Sequence, residues 1–314
     1  MQASAGRKLR QTAQRLARAA KAAGSTVVGR LAVLLLKAVR RTDPDRMADF
    51  GGRSLRRLGP WLPEHRVGRD NLAAAFPQWS AAEIDKVLLG TWDNLGRVAA
   101  EFAHLDRLWS FDAAEPMRGR IEFSPGTAER FQRLREDGKP ALIFAAHLAN
   151  WELPAVAAAV NGLDTTVLYR RPNIAEIDRF VSETRSLQMG RLIPTSLDAP
   201  VRIAHALGLG THVGMLVDQY YVRGVEVTFF GRKTMANPFI ARLARRINCP
   251  IHGVRAIRLP NHRFRIELTD AIEPPRDAKG DVDVVPAMQM ITSVIEGWIR
   301  EYPEQWLWLH RRWR

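Results

Sequence analysis

The chain has 314 residues, enough for one large domain or two modest ones, with 46% hydrophobic residues and a formal net charge of +14. That composition supports an ordinary globular core, and a mean hydropathy of −0.21 excludes a polytopic membrane protein. The single cysteine, Cys249, rules out an intrachain disulfide and a zinc site of several thiolates, and it fits a reducing compartment.

The charge is unevenly spread. Residues 1–41 hold ten Lys or Arg and no carboxylate; Asp43 is the first acid. On a helical wheel Leu9, Ala13, Leu16 and Ala20 share one face, and Arg7, Arg10, Arg15, Arg18 and Lys21 cover the other. This is the pattern of a helix lying on anionic lipid. An organellar transit peptide and a nucleic-acid-binding arm share it. The apolar run 31–36 is flanked by Arg30 and Lys37. Even extended to 27–39 it falls short of the roughly 20 apolar residues of a span, so a helix there would sit in the interface with both basic side chains snorkelling.

Apolar positions at helical spacing (Ile84, Val87, Leu88; Val98, Phe102, Leu105) make residues 45–110 helical. Elements then alternate. A helix over 127–136 ends at Asp137-Gly138-Lys139-Pro140, and the run 141–146 (ALIFAA) reads as a buried strand. A helix follows over 153–160, a strand over 165–169, a helix over 174–187 and a strand over 213–217. Residues 226–230 read as a strand, 238–247 as a helix, 251–257 and 264–268 as strands, and 288–300 as a last helix. This order predicts an α/β fold with a mixed, largely parallel sheet flanked by helices.

Ligands of such sheets gather at the C-terminal ends of strands, and the residue ending the ALIFAA strand is His147. In His147-Leu148-Ala149-Asn150-Trp151-Glu152 a histidine leaves a strand and a carboxylate follows at a helix start. Asn150 is a candidate N-cap, and Glu152 in the first turn suits the helix dipole. Pro154 is tolerated there because first-turn N–H groups lack intrahelical partners. A strand-to-helix turn can bring imidazole and carboxylate together, the acid orienting one ring nitrogen while the other takes a proton from an alcohol. Such an H-x4-E pair alone also describes a hydrogen-bonded core histidine. Asp218 and Gln219 end the 213–217 strand on the same sheet edge, where a turn-stabilising Asp is the competing reading. The segment 208–214 departs from a dinucleotide fingerprint in its last spacing, and a strand follows it. There is no G-x-S-x-G elbow and no Walker A sequence, and the remaining histidines show no metal-ligand spacing.

The run HLANWE resembles the H-x4-D/E motif of the lysophospholipid and glycerolphosphate acyltransferase superfamily. It is most similar to the branch that adds secondary lauroyl and myristoyl chains to lipid A, where HFGNWE is typical; Leu148 and Ala149 depart from that form. Three further blocks follow in order. Tyr169-Arg170-Arg171-Pro172-Asn173 resembles Y-R-P-x-N with one extra Arg. Asp218-Gln219 with Val227 to Gly231 resembles D-Q…F-F-G, and the tail from Pro303 to Trp313 resembles P-E-Q-W-x-W-x-H-R-R-aromatic. The likeness covers roughly residues 40–314.

The resemblance implies an acyltransferase domain over 42–314, behind the basic amphipathic segment over 1–41 that the charge pattern reads as a membrane anchor. His147 would deprotonate a hydroxyl on a lipid A precursor, Glu152 would hold His147, and that oxygen would attack an acyl thioester. N–H groups between Asn150 and Glu152 would serve the oxyanion. Arg171, and less directly Arg170, would bind a substrate phosphate, with Asn150, Asp218 and Gln219 at the substrate. Arg311, Arg312 and Arg314 suit membrane or lipid phosphate, with a solvated tail as the competing reading. The resemblance further implies no metal or organic cofactor and a donor of acyl carrier protein or acyl-CoA. The partners would be acyl carrier protein and an anionic membrane or phosphorylated glycolipid, with no nucleic acid. A monomer on the cytoplasmic face of the cell inner membrane is expected. An acceptor that is a lysophospholipid or another glycolipid, and a basic nucleic-acid-binding protein, are the rival readings.

Overall fold

The computed structural model describes residues 26–112, 115 and 118–314. The amphipathic stretch 7–21 lies outside the described residues. Helix α1 is described over residues 26–39, and Val27, Val28, Leu31, Leu34 and Leu35 on it are all exposed. Arg40 ties its end to the body through two hydrogen bonds of 2.8 Å to Asp106. Among the described residues no helix is long and apolar enough to cross a membrane.

The expected helical region resolves into α2 (Pro44–Leu58), α3 (Pro63–Ala75), α4 (Ala81–Phe102) and a short α5 (Leu105–Leu108). Asp43 caps α2 and Ser80 caps α4, the latter in a full capping box with Glu83. Helices α2 and α4 cross closely because Gly51 faces Gly96: a Cβ on Gly51 would stand 2.5 Å from the Gly96 carbonyl oxygen.

The rest is an α/β sandwich. Strands β1 (Ile121–Phe123), β2 (Leu142–Ala145), β3 (Thr165–Tyr169), β4 (Arg191–Pro194), β5 (His212–Leu216), β8 (Ile251–Arg258) and β9 (Phe264–Leu268) form one sheet in the order β1-β9-β8-β2-β5-β3-β4. Every pairing is parallel except the β8–β9 hairpin. The helices are α6 (Thr127–Glu136), α7 (Leu153–Val160), α8 (Ala175–Gln188), α9 (Ala199–Gly208), α10 (Phe239–Ile247) and α11 (Val284–Glu301).

A buried central strand must be apolar on both faces, and β2 shows why ALIFAA lacks alternation. Leu142 and Phe144 join one core with residues of α9, α10 and α11. Ile143 and Ala145 join a second core with residues of α6 and α7. The expected strand at 226–230 differs in its setting. It belongs to β6 (Tyr220–Phe229), which among the described residues pairs with β7 (Arg232–Ala236) alone, in a separate antiparallel ribbon. Side chains of α11 satisfy the ribbon's backbone: Gln289 Oε1 accepts from the Thr228 N–H and Glu296 Oε2 from the Phe230 N–H. Strands β1, β4 and β7 and helix α9 are additions to the sequence reading.

Candidate active site

The site forms where β2 and β5 end side by side. Their parallel register sets Ala145 against Leu216, so two residues further on His147 and Asp218 come level. Asp218 Oδ1 stands 2.8 Å from His147 Nδ1. Its Oδ2 accepts the backbone N–H of His147 at 2.9 Å and the indole N–H of Trp306 at 2.8 Å. An ionised carboxylate only accepts, so Nδ1 carries the proton and Nε2 is left with a lone pair.

Burial pushes the Asp218 carboxyl up, but the His147 charge and these donated hydrogen bonds outweigh it and hold the group down at about 2. For His147, burial is the largest single influence and disfavours the imidazolium, but the charge of Asp218 and its hydrogen bond together outweigh it. The net shift is above the ordinary histidine value, with a smaller upward push from Glu152 and a downward one from Arg185. The side chain of Asp218 is 2% exposed and that of His147 is 16% exposed.

The geometry corrects the expected partnership of His147. Glu152 is buried but spends both oxygens on Arg185 of α8, with Nε to Oε2 at 2.9 Å and Nη2 to Oε1 at 2.5 Å. Arg185 also lies 5.8 Å from the ring centroids of Phe102 and Tyr169. Glu152 therefore reaches His147 through its field, and the contact at Nδ1 belongs to Asp218.

Asn150 is likewise not at the substrate surface. It is fully buried, its amide donates to Glu101 Oε2 at 2.9 Å, and its Oδ1 accepts the Glu152 N–H at 3.2 Å. That N–H is thus already engaged. Ala149 holds a left-handed φ of 47°, a conformation that favours glycine, at the position where the resemblance shows Gly. Its carbonyl accepts from Asn94 and its N–H donates to the Gln305 carbonyl.

His147 stands at the head of a cavity of about 600 Å³ that extends over the α6–α7 face of the sheet. Apolar side chains from β2, β3 and β5 line it, with Trp151, Pro154 and Ala155 on one wall and Tyr220 and Tyr221 on another. Gln219 and Arg170 line it as well; Arg171 does not, and is exposed with its Nε 4.0 Å from Asp178. The strand end at Tyr169 thus turns Arg170, not Arg171, toward the site.

The C-terminal tail was legible only as a run of family-like letters, yet it closes the site. Leu148 pairs with Trp306, the Leu307 N–H donates to the His147 carbonyl at 3.1 Å, and Trp306 braces Asp218. His310 lines the cavity, and burial pushes its imidazole below the ordinary value. Arg312 cannot serve a membrane: it is 2% exposed and donates to Thr234 Oγ1 and the Met235 carbonyl. Burial lowers it to about 10. Indole N–H groups seek partners when buried, so the first Trp of the W-x-W run, Trp306, was the available signal.

Residues 24–314 match the family model described as bacterial lipid A biosynthesis acyltransferase. No curated protein matches the chain.

Proposed function

The chain belongs to the bacterial lipid A biosynthesis acyltransferase family, and from that premise we propose that His147, oriented by Asp218, is the base that activates the acceptor hydroxyl. The observation that carries this reading is the Asp218–His147 pair at 2.8 Å at the head of an apolar cavity. Nε2 of His147 takes the hydroxyl proton as the oxygen bonds to the thioester carbonyl carbon. The tetrahedral intermediate collapses, the C–S bond breaks, and the proton on Nε2 passes to the departing thiolate. Asp218 stays ionised and stabilises the transient imidazolium. The base contributes about 10²–10⁴-fold, and holding both substrates in register contributes further.

The acyl chain of the donor occupies the cavity, and the donor is acyl carrier protein, whose acidic surface suits a basic enzyme, or acyl-CoA. Arg170 is the cation for a phosphate on the acceptor, because it lines the cavity where Arg171 does not. No step calls for a metal or an organic cofactor, and the enzyme works as a monomer on the cytoplasmic face of the inner membrane.

The test is acyl transfer by the purified chain from a carrier-protein thioester to a phosphorylated disaccharide lipid, its dephosphorylated analogue and a lysophospholipid. Transfer to the phosphorylated lipid is expected to dominate. Arg170→Ala should raise KM for that acceptor about tenfold or more, the equivalent of a charge-assisted hydrogen bond of roughly 1.5–3 kcal/mol. It should affect the dephosphorylated lipid far less. A preference for lysophospholipid would overturn the acceptor, and an equal effect on both lipids would remove Arg170 as the phosphate cation.

Membrane binding is assigned to residues 1–41, whose described part exposes Leu31, Leu34 and Leu35. Basic side chains near anionic lipid contribute about 1 kcal/mol each. Deleting 1–41 should therefore move the protein from anionic vesicles into solution in a flotation assay. Leu34→Asp with Leu35→Asp should weaken binding even at high salt, where the electrostatic part is screened. A truncated protein that floats as fully as the parent would end this assignment.

A further inference from the structure

Gly214 occupies the middle of β5, a central strand with neighbours on both sides. Glycine weakens a strand interior relative to alanine and usually marks a backbone or packing demand. Neither demand exists here. Gly214 is not in the left-handed region, and a Cβ built on it would meet nothing within 4 Å among the described residues. The space it leaves belongs to the cavity.

The register locates that space. Gly214 pairs with Ile143 of β2 on one side and Val167 of β3 on the other. Side chains level in a parallel sheet share a face, so Ile143, the vacant position and Val167 form one row across the cavity floor. The next row toward His147 contains Ala145 and Leu216. Beyond the vacant row lies Thr165, whose hydroxyl donates to the Met189 carbonyl at 3.5 Å, and both residues line the cavity. His147 is four residues from Ile143 along the β2 direction, about 13 Å at roughly 3.3 Å per residue. An extended alkyl chain advances about 1.3 Å per carbon, given C–C bonds of about 1.5 Å. About ten carbons therefore reach the vacant row, and longer chains must pass over it.

We propose that Gly214 sets the length of acyl chain the enzyme accepts, by leaving open the side-chain position between Ile143 and Val167 on the cavity floor. The inference rests on the reading that the cavity holds the donor's acyl chain. Chains of fewer than about ten carbons stop short of the row, so they are indifferent to what fills it. Longer chains need the gap, and each methylene refused by a filled site costs roughly 10- to 200-fold in selectivity.

The experiment is a graded series, Gly214→Ala, Gly214→Val and Gly214→Leu, assayed with carrier-protein thioesters of saturated chains shorter and longer than about ten carbons. The ratio of kcat/KM for long over short chains is expected to fall with each step in side-chain volume, by about tenfold or more at Leu. Alanine fits the open space, so the ratio remains readable even if the leucine variant folds poorly. A parallel arm measures binding of free fatty acids of the same lengths by displacement of a fluorescent fatty acid, which needs no turnover. A third arm varies the acceptor's own chains with a short donor. An equal loss at all donor lengths, or a dependence on acceptor length only, overturns the proposal. A parent protein that transfers no acyl group but whose fatty-acid binding shows the graded length shift would sink the catalytic reading and leave the role of Gly214 standing.

Discussion

Asp218→Asn is expected to lower kcat/KM for acyl transfer by about 10²–10⁴-fold, the range contributed by a positioned general base. The loss comes from the tautomer. The ionised carboxylate can only accept, which fixes the proton on Nδ1 of His147. An asparagine amide can donate to Nδ1 instead, which moves the ring proton to Nε2 and removes the lone pair that faces the acceptor. The pH dependence supplies a second readout. The His147 pKa is raised above its ordinary value, chiefly by Asp218 acting against burial. Since the neutral imidazole is the base, the acid limb of kcat/KM for the parent should lie above about 6.5, the unperturbed value, with activity rising as pH rises through it. In Asp218→Asn the limb should move down. Glu152→Gln keeps the tautomer but leaves Arg185 without its buried partner, so its main effect should be a lower Tm. A Glu152→Gln variant with parental Tm and a loss as large as that of Asp218→Asn would return the orienting role to Glu152.

The same pair sets a sign for stability. The raised pKa of His147 contributes stability that is fully present below the unfolded value and lost as pH rises through the folded one. The depressed pKa of Asp218 contributes stability present above the unfolded value of 3.8 and lost as pH falls toward about 2.

Much of the fold was legible because it is local. The helices over 127–136 and 153–160 and the strand over 165–169 have the bounds that periodicity and punctuation predict. Strand β4 carries Arg191 and a terminal Pro in four residues, too brief for an alternating signal. Strands 226–230 and 264–268 read alike, but one joins a ribbon and the other the main sheet. That choice depends on what covers each face, a tertiary matter.

The site shows the same division. His147 was visible because a strand ends there, and Asp218 and Gln219 because another does. Their partnership was not, because it depends on β5 lying next to β2 across 71 residues of chain. Sequence proximity favoured Glu152 instead, five positions away, although the chain direction after Asn150 carries its carboxylate toward α8 and Arg185. Asn150 has the residue type of a substrate contact and the burial of a structural one, which composition alone does not separate.

Glu101→Gln is expected to destabilise the fold by about 3–5 kcal/mol, the range for removing one partner of a buried ion pair. Glu101 is 2% exposed. Its oxygens meet the Arg258 guanidinium at 2.5 and 2.9 Å, and Oε2 also accepts from Asn150. Arg258 Nε donates to Asn94, whose amide donates to the carbonyls of Ala149 and Gln305. The network therefore joins α4, β8 and the tail to the loop that carries His147, and holds that loop while Ala149 keeps its left-handed backbone. Neutralising Glu101 leaves a largely buried guanidinium without its counter-charge and loosens Asn150, so activity should fall along with stability. Arg258→Met should cost a similar amount, for the converse reason. The double variant Glu101→Leu with Arg258→Met should cost less than the sum of the singles, because no charge is then stranded. Urea unfolding of the parent, both singles and the double gives the comparison, read from midpoint shifts at constant slope. Single variants that lose less than about 1 kcal/mol, the range of an exposed pair, would show that the pair does not anchor the loop.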